Sequence, residues 1–337
     1  MEFLSSFRES VIKSMLTASP SLKNFYFLSQ ILLYITQSQD SHSNCVNKYQ
    51  FAGLYDYVVI GAGTAGCVMA SRLSEDENVT VLLIEAGPTE DVYSDIPKTS
   101  FYLLDTPIDW EFVSESQHKS GFGLKDRRIK YGRGKILGGS SVTNFLVYNR
   151  GNPRDYDKWK SDGAEGWGWA DLFPYFIKAE DNDDPYMVAS GYHGKGGPLP
   201  VSNQVYWERI SEAFRDSGPY LNYSIGDSKG PTQSVFEIHQ RNTRKGERYS
   251  AARAYLEPVV KNRTNLHIFT NVMVHRILFD ENKKVSGVEY TRLGKKKKVR
   301  LERDLILSAG AIMSPQILMM SGNYALVLFS LCHCIVI

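Results

Sequence analysis

The distribution of apolar positions predicts alternating strands and helices from about residue 54 onward. Residues 54–60 and 79–85 form short, almost continuous apolar runs, which are typical of strands buried on both faces of a parallel sheet. Residues 64–74, which separate the two runs, predict a helix. Two buried strands joined by a helix form a βαβ unit, so this part of the chain is expected to have an α/β fold.

The C-terminal third predicts a second group of strands, separated by turn residues. These strands are expected at residues 266–269, 272–279, 285–291, 298–301 and 304–308, with a helix at 314–320. The middle of the chain, from about 155 to 245, is less regular and richer in Trp, Tyr, Gly and Pro. We interpret this middle region as an insertion into the α/β domain, since no internal repeat is visible.

The first 50 residues differ from the rest of the chain. Basic residues precede a short apolar stretch at 25–35, and a polar segment follows it. This order resembles a secretory signal peptide, although a disordered leader is an equal alternative; the stretch is too short to span a membrane. Asn-X-Ser/Thr sequons, which a secreted protein would expose, begin at Asn78, Asn222 and Asn262. We therefore expect a secreted, extracellular protein.

Charge and cysteine usage exclude several classes of ligand. Lys and Arg number 39 and Asp and Glu 37, giving a net charge of +2, so no overall field favours nucleic acid. The basic run 295–298 follows Gly294, and we interpret it as a solvated hairpin turn. The four cysteines show no zinc-like spacing. The Cys-His-Cys run at 332–334 offers soft ligands, but adjacent residues cannot easily converge on one metal, so no metal site is expected.

A glycine-rich motif lies between the first predicted strand and helix. In the run 61–66, Gly61 permits a tight turn, Gly63 lets the backbone approach a pyrophosphate, and Gly66 allows close packing of helix on strand. The helix N-terminus adds free N–H groups for an anion. Glu85, which ends the next strand, can accept hydrogen bonds from a ribose diol. These features predict a dinucleotide site, with NAD and FAD both open at this point.

A second glycine-rich segment covers residues 132–144. Gly138 and Gly139 precede two serines, so the backbone there can lie against a flat or anionic ligand. Taken alone, this segment is equally well interpreted as a structural turn before a helix.

These motifs together resemble the glucose-methanol-choline (GMC) oxidoreductase family, most closely its animal glucose dehydrogenase-like branch. The resemblance extends over residues 53–322. It is carried by YDYVVIGAGTAG (55–66), IEAG (84–87), IDW (108–110), GRGKILGGSSVTN (132–144), RGN (150–152), YHGKGGPL (192–199), Arg248 with Ser250, and SAGAIMSPQ (308–316). It implies a Rossmann-like FAD-binding domain with an inserted partial substrate region, and it makes an NAD-dependent dehydrogenase a remote rival.

The resemblance also implies which residues hold FAD in an extended conformation. At the pyrophosphate it implies Gly61, Gly63, Thr64, Ala65 and Gly66, and at the adenosine ribose Glu85. Along the flavin it implies Gly138, Gly139, Asn144, Phe145, Leu146 and Val147, and at the adenine the backbone of Val274. Without the family, Val274 would be interpreted as an ordinary core-strand residue.

The resemblance stops at Gly322. Thr143 and Ala251 are tolerable departures, but residues 323–337 form an apolar tail with no family counterpart, which we interpret as a retained intron or gene-model error. The C-terminal part of the family, with its histidine base, has no match, so no catalytic residue is assigned. Five histidines in other segments, His118, His193, His239, His267 and His275, are interpreted as loop or surface residues. A missing last strand would leave an unpaired sheet edge.

The resemblance implies a function in two forms. Full relatives oxidise the CH–OH group of alcohols or sugars by hydride transfer to flavin, with a quinone or oxygen as acceptor. This chain alone is expected to be inactive, because a base and part of the substrate pocket are missing. The alternative is a non-catalytic FAD-binding product or a partner-binding isoform. Neither form predicts a nucleic-acid partner or a membrane span.

Overall fold

The computed structural model describes residues 53–204 and 207–322, together with the backbone of a strand at Cys334–Val336. The expected leader at 1–50 and the rest of the apolar tail lie outside the described residues. No helix within the described ranges is both long enough and apolar enough to cross a membrane.

Most strands and helices of the described residues are short. The strands are β1 Leu54–Tyr55, β2 Tyr57–Ile60, β3 Val81–Ile84, β4 Phe112–Val113, β5 Lys130–Tyr131, β6 Glu180–Asn182, β7 Leu199–Val201, β8 Ser224–Ile225, β9 Val235–Phe236, β10 Thr243–Arg244, β11 Glu247–Arg248, β12 Leu266–Phe269, β13 Val272–Phe279, β14 Val285–Arg292, β15 Lys295–Leu301, β16 Leu305–Leu307 and β17 Cys334–Val336. The α-helices are α1 Thr64–Leu73, α2 Val92–Asp95, α3 Ser140–Thr143, α4 Pro153–Ser161, α5 Trp169–Ala179, α6 Pro185–Ala189, α7 Arg209–Asp216, α8 Ala251–Tyr255, α9 Glu257–Val260 and α10 Gly310–Met320.

A parallel sheet forms the centre of the fold, with strand order β12-β3-β2-β16-β17. The predicted βαβ unit is confirmed, since β2 and β3 pair in parallel and α1 connects them. All four residues of β3 are buried, because both faces of the sheet are covered. Val59 and Leu83 pack on one face with Cys67 and Ala70 of α1. Complete burial of each such aliphatic side chain stabilises the fold by roughly 1.5–3 kcal/mol.

An antiparallel sheet covers the other face. Strands β13, β14 and β15 pair in sequence, and β1 adds at the outer side of β15. Val274 and Val288 of this sheet lie in the same apolar cluster as Val58 and Leu82 of the central sheet. The strands β13, β14 and β15 therefore pack on the parallel sheet, whereas β12, β16 and β17 join it.

The prediction of one continuous strand at 54–60 is wrong, because this segment is divided between the two sheets. Leu54 and Tyr55 pair with Arg300 and Leu301, whereas Tyr57–Ile60 lies in the central sheet. Asp56 separates them, and its carboxylate accepts hydrogen bonds from the Thr80 backbone N–H at 2.8 Å and the Thr80 hydroxyl at 2.9 Å. A side-chain bond of this kind competes with strand pairing and allows the chain to change sheets.

The basic run 295–298 lies in strand β15 and not in the turn that was predicted. The turn consists of Leu293 and Gly294, which have φ values of 50° and 72°. Two successive positive φ values are typical of a two-residue hairpin whose twist matches that of the strands. The four lysines are exposed, and they occupy the part of β15 that precedes its pairing with β1. Lysines along such an edge discourage pairing with another chain.

The helix predicted at 314–320 begins earlier, at Gly310. Gly310 has a φ of 85°, a value that L side chains rarely adopt, and it allows the chain to turn sharply from β16 into the helix. The remaining strands predicted in this third agree with the structure to within one residue at most ends.

The expectation that the central sheet ends in an unpaired edge is wrong for the strand Leu305–Leu307. Its outer side pairs in parallel with Cys334–Val336, in the register Leu305 with Cys334 and Leu307 with Val336.

The middle region consists of short helices and strands of two or three residues. An aromatic cluster holds the helices α4 and α5 together; its members are Tyr156, Trp159, Trp169, Phe173 and Phe176. The limits proposed for the insertion and for the FAD domain stay predictions.

Candidate cofactor site

A cleft of about 220 Å³ lies where β2, β3 and β16 of the parallel sheet end. In open α/β sheets, ligands bind at the carboxyl ends of the strands, and this cleft has that location. Seven of the residues proposed for the cofactor line it, namely Gly61, Gly63, Thr64, Ala65, Glu85, Gly139 and Val274. The structure therefore brings both glycine-rich segments and the strand β13 to one site.

The three glycines of the first motif are required for different reasons. Gly61 has a φ of 92°, and an added Cβ would lie 2.5 Å from the Ser308 carbonyl oxygen. At Gly66 an added Cβ would lie 1.9 Å from the Gly61 carbonyl oxygen, so α1 can approach β2 this closely only without a side chain. At Gly63 an added Cβ would meet no atom within 4 Å. The fold itself requires Gly61 and Gly66, whereas Gly63 keeps space free in the cleft.

The second glycine-rich segment packs directly on the first. An added Cβ at Gly139 would lie 2.6 Å from the Gly63 Cα, and Gly139 has a φ of 57°. Gly138, with a φ of 95°, donates its backbone N–H to the Ala62 carbonyl at 2.8 Å. The structure shows the tight turn, and Gly139 also lines the cleft; a ligand-binding role of this segment stays a prediction.

Glu85 is buried at the base of the cleft and binds the glycine loop. Its carboxylate accepts the backbone N–H of Ala62 at 2.8 Å and that of Gly87 at 2.9 Å. Burial raises the pKa of Glu85 to about 7, although these N–H groups favour the charged form. The sequence predicted only a ribose contact for Glu85, and its bond to the glycine loop was not foreseen.

The raised pKa predicts a specific pH dependence for the ligand-free protein. The carboxyl group titrates near 4.5 when unfolded and near 7 when folded, so its contribution to stability is complete below pH 4.5 and lost as the pH rises through 7. Across that interval we expect the free energy of unfolding to fall by up to about 1.4 kcal/mol per pH unit from this group alone. In Glu85→Gln this component should vanish, as measured by urea unfolding at several pH values. An unchanged slope in the variant would contradict the assignment.

The other proposed residues do not line the cleft. Gly66 and Gly138 are buried and are not part of its lining. The segment Asn144–Val147 follows helix α3, whose first residue, Ser140, does line the cleft. Within that segment Leu146 is buried, whereas Phe145 and Val147 are 46% and 47% exposed.

The cleft also has an aromatic and basic wall that was not predicted from the sequence. Trp110 and Phe112 line it with nearly parallel rings whose centroids are 5.7 Å apart. The Lys135 ammonium lies 5.1 Å from the Trp110 ring centroid, and Arg133 also lines the cleft. Flat rings and positive charges suit a ligand with a ring and phosphates. The sequence signal for this wall is the aromatic pair at 110 and 112 together with the basic residues of GRGK at 132–135.

The interpretation of the histidines as loop or surface residues is wrong for His267 and His275, whereas His193 lies in a loop, as predicted, but is buried. His193 is 3% exposed, with Nδ1 2.7 Å from Glu180 Oε1 and Nε2 2.8 Å from Asp227 Oδ2. His267 and His275 lie on strands β12 and β13 and are partly buried. His118 and His239 are exposed, as expected. Among the described residues, no histidine lines the cleft, and no group of three His, Cys, Asp or Glu side chains is arranged so that it could hold a metal ion.

Comparisons with known proteins agree with this geometry. A family model described as GMC oxidoreductase matches residues 55–325. Glucose dehydrogenase [FAD, quinone] from Drosophila melanogaster is 43% identical over 270 residues, which are 80% of this chain and 43% of that protein. Mitochondrial choline dehydrogenase from Homo sapiens is 39% identical over 279 residues, 80% of this chain and 45% of that one.

A solved structure supports the same relationship. Pyridoxine 4-oxidase from Mesorbium loti is 34% identical and superimposes with a TM-score of 0.71, over 80% of this chain and 52% of that one. The chain thus spans about half the length of the relatives it matches.

Proposed function

The chain belongs to the GMC oxidoreductase family, and on that premise we propose that it binds FAD and forms the cofactor-binding part of an enzyme that oxidises an alcohol or a sugar. The observation that carries this proposal is the cleft at the ends of the parallel strands, where Gly63 leaves open space beside the N-terminus of α1. FAD, when bound, would supply the acceptor for a hydride from the substrate carbon.

We assign each part of FAD to residues of this site. The loop Gly61–Ala65 and the first turn of α1 receive the pyrophosphate. Gly63 is the N-cap residue of α1 and has no side chain that could bind the free N–H groups of the first turn, so these groups stay available to the phosphates. The Glu85 carboxylate, buried beside the loop, binds the ribose. The backbone of Val274, which lines the cleft, meets the adenine. The flavin would lie toward Gly138, Gly139 and the segment Asn144–Val147.

The substrate class is proposed from the relatives. Their names mention glucose, choline and pyridoxine, all of which are small molecules with a CH–OH group. We propose a substrate of this class, with a quinone as acceptor in line with the name of the glucose dehydrogenase and oxygen as the alternative.

The proposed cofactor is tested by the release of flavin. Chain purified or refolded in the presence of FAD and freed of excess ligand should release FAD on denaturation, with about one FAD per chain. NAD, offered under the same conditions, should not be retained. Folded protein that binds NAD and ignores FAD would refute the proposal.

We also propose that the protein is secreted. In support of this location, the asparagines of the three sequons, Asn78, Asn222 and Asn262, are all exposed. Chain recovered from the medium of insect cells should shift in mass when an N-glycosidase is added, and each Asn→Gln substitution at a sequon should remove one step of that shift. Intracellular protein without glycans would contradict the proposal.

A further inference from the structure

Arg248 is a completely buried arginine whose five N–H groups all have hydrogen-bond acceptors. Nε donates to the Ser94 carbonyl at 2.9 Å. Nη1 donates to the Ser141 carbonyl at 3.0 Å and to Asn144 Oδ1 at 2.8 Å. Nη2 donates to Ser100 Oγ at 2.6 Å and to the Asn144 carbonyl at 2.7 Å. A guanidinium group offers five donors in a fixed plane, so these bonds define the relative positions of three chain segments.

The buried charge of Arg248 is expensive, since these acceptors are neutral oxygens. Burial lowers the pKa of Arg248 to about 10, while the nearby charges of Glu90 and Asp95 oppose that shift, and the side chain therefore stays charged at neutral pH. A position that only had to be filled would be served at least as well by an apolar side chain. Compared with an apolar side chain of similar volume, an arginine at this position adds five hydrogen bonds of fixed geometry.

Three of the five bonds act on the end of helix α3 and the turn after it. The carbonyls of Ser141 and Asn144 lie at the C-terminal end of α3, where helical carbonyls lack partners of their own. Asn144 Oδ1, which Arg248 fixes, also accepts the Leu146 N–H at 3.0 Å. The guanidinium thereby determines the backbone path from Asn144 to Leu146.

That path includes a strained residue. Leu146 has a φ of 68° and is 1% exposed. A bulky residue with positive φ is strained and persists only where its surroundings impose that conformation. The bend buries Leu146 and turns its neighbours Phe145 and Val147 outward, where each is nearly half exposed. The Phe145 ring packs against Phe101, with centroids 4.7 Å apart, so the exposed side chain is held in one place.

We propose that Arg248 is a positioning residue that holds the segment Asn144–Val147 in the shape that receives the flavin end of the cofactor. This inference rests on the proposed function, which places the flavin along that segment. Arg248 itself does not line the cleft and acts through the segment.

The test compares Arg248→Lys with wild type, using the full chain and two probes, FAD and ADP. ADP reaches only the sites of the adenine, ribose and pyrophosphate. We expect Arg248→Lys to bind FAD roughly 10- to 100-fold more weakly, the loss typical of removing a group that orients binding residues. The affinity of Arg248→Lys for ADP should change by less than about threefold, which is well below the tenfold change that 1.4 kcal/mol produces. The visible circular dichroism of any bound flavin should also change.

The matched control is Arg150→Lys, which alters another buried arginine. Arg150 is 2% exposed and pairs with Glu180 in the middle region. The Arg150→Lys variant should have a lower unfolding temperature than wild type. Its affinity for FAD and the spectrum of its bound flavin should equal those of wild type. Equal losses of FAD affinity in both variants would mean general destabilisation and would overturn the inference.

A second variant decides the matter if Arg248→Lys does not fold. Ser100→Ala removes one acceptor of Arg248 outside the flavin segment. It should weaken FAD binding severalfold and spare ADP. FAD affinity and spectrum equal to wild type in Ser100→Ala, or in folded Arg248→Lys, would overturn the inference. If the wild-type chain binds ADP but not FAD, both the inference about Arg248 and the proposed function are overturned. If the wild-type chain binds neither ligand, the proposed function itself is refuted.

Discussion

Gly63→Val should greatly weaken FAD binding while leaving the protein folded. Gly63 has ordinary extended backbone angles, with φ of −74° and ψ of −166°, so a branched residue fits the backbone there. A Cβ at this position meets no protein atom within 4 Å, but Gly63 lines the cleft. The added side chain therefore enters the space proposed for the pyrophosphate. Overpacking of this kind costs roughly 1–3 kcal/mol, which corresponds to a roughly 5- to 150-fold loss of affinity.

The measurement combines FAD titration with thermal unfolding in the absence of ligand. Gly63→Val should lose no more than about 1 kcal/mol of stability, the cost of a poor residue at the helix N-cap. Gly66→Val is the matched comparison: its side chain would collide with the Gly61 carbonyl, so both folding and binding should fail. Normal FAD affinity in Gly63→Val would show that the pyrophosphate does not approach this loop.

The central sheet and the glycine loop could be predicted from the sequence because their signals are local. Apolar runs of four to seven residues, glycines at fixed spacing and an acid at the end of the next strand each lie within about 30 residues. The division of strand 54–60 at Asp56 could not be predicted, since its cause is a bond to Thr80 and the arrival of β15 from far along the chain.

The candidate site shows the same division between local and distant causes. Gly61, Gly63 and Glu85 were found from spacing alone, whereas the Trp110 and Phe112 wall needed knowledge of how residues 108–113 fold back on the sheet. The five bonds of Arg248 join residues that are 104 to 154 positions away in the chain. No periodicity in a single sequence records contacts of that kind, so they became visible only in the structure.

The middle region contains a buried ionic network that the sequence did not reveal. The Glu180 side chain is fully buried and receives Arg150 Nη2, Tyr148 Oη at 3.2 Å and Asn182 Nδ2 at 2.7 Å. His193 lies between Glu180 and Asp227, at 2.7 Å and 2.8 Å. Residues from three separate segments thus meet at the Glu180 carboxylate, and His193 connects a fourth segment through Asp227. This network explains how an irregular region with few long elements keeps a defined structure.

The network has opposite effects on the pKa values of its acid and its imidazole. Burial alone would raise the pKa of Glu180, but hydrogen bonds from His193 and Asn182 and the charge of Arg150 lower it below its usual value. Burial alone would lower the pKa of His193, but Asp227 and Glu180 raise it above its usual value. The contribution of Glu180 is lost as the pH falls through its folded pKa, and that of His193 is lost as the pH rises through its own. The pair is therefore most stabilising between about pH 4.5 and 6.5, the usual values of the two groups.

Glu180→Gln should destabilise the protein by about 3–5 kcal/mol, because it leaves the buried Arg150 without its counter-charge. Urea unfolding gives the free energy, and the matched control is Asp171→Asn, which breaks the exposed pair with Lys160 and should cost less than about 1 kcal/mol. The loss of stability in Glu180→Gln should be largest between pH 4.5 and 6.5. It should diminish at higher pH, because wild-type protein itself then loses the attraction between protonated His193 and Glu180. A loss as small as that of Asp171→Asn, or one independent of pH, would mean that Arg150 and His193 do not depend on this carboxylate for their charge.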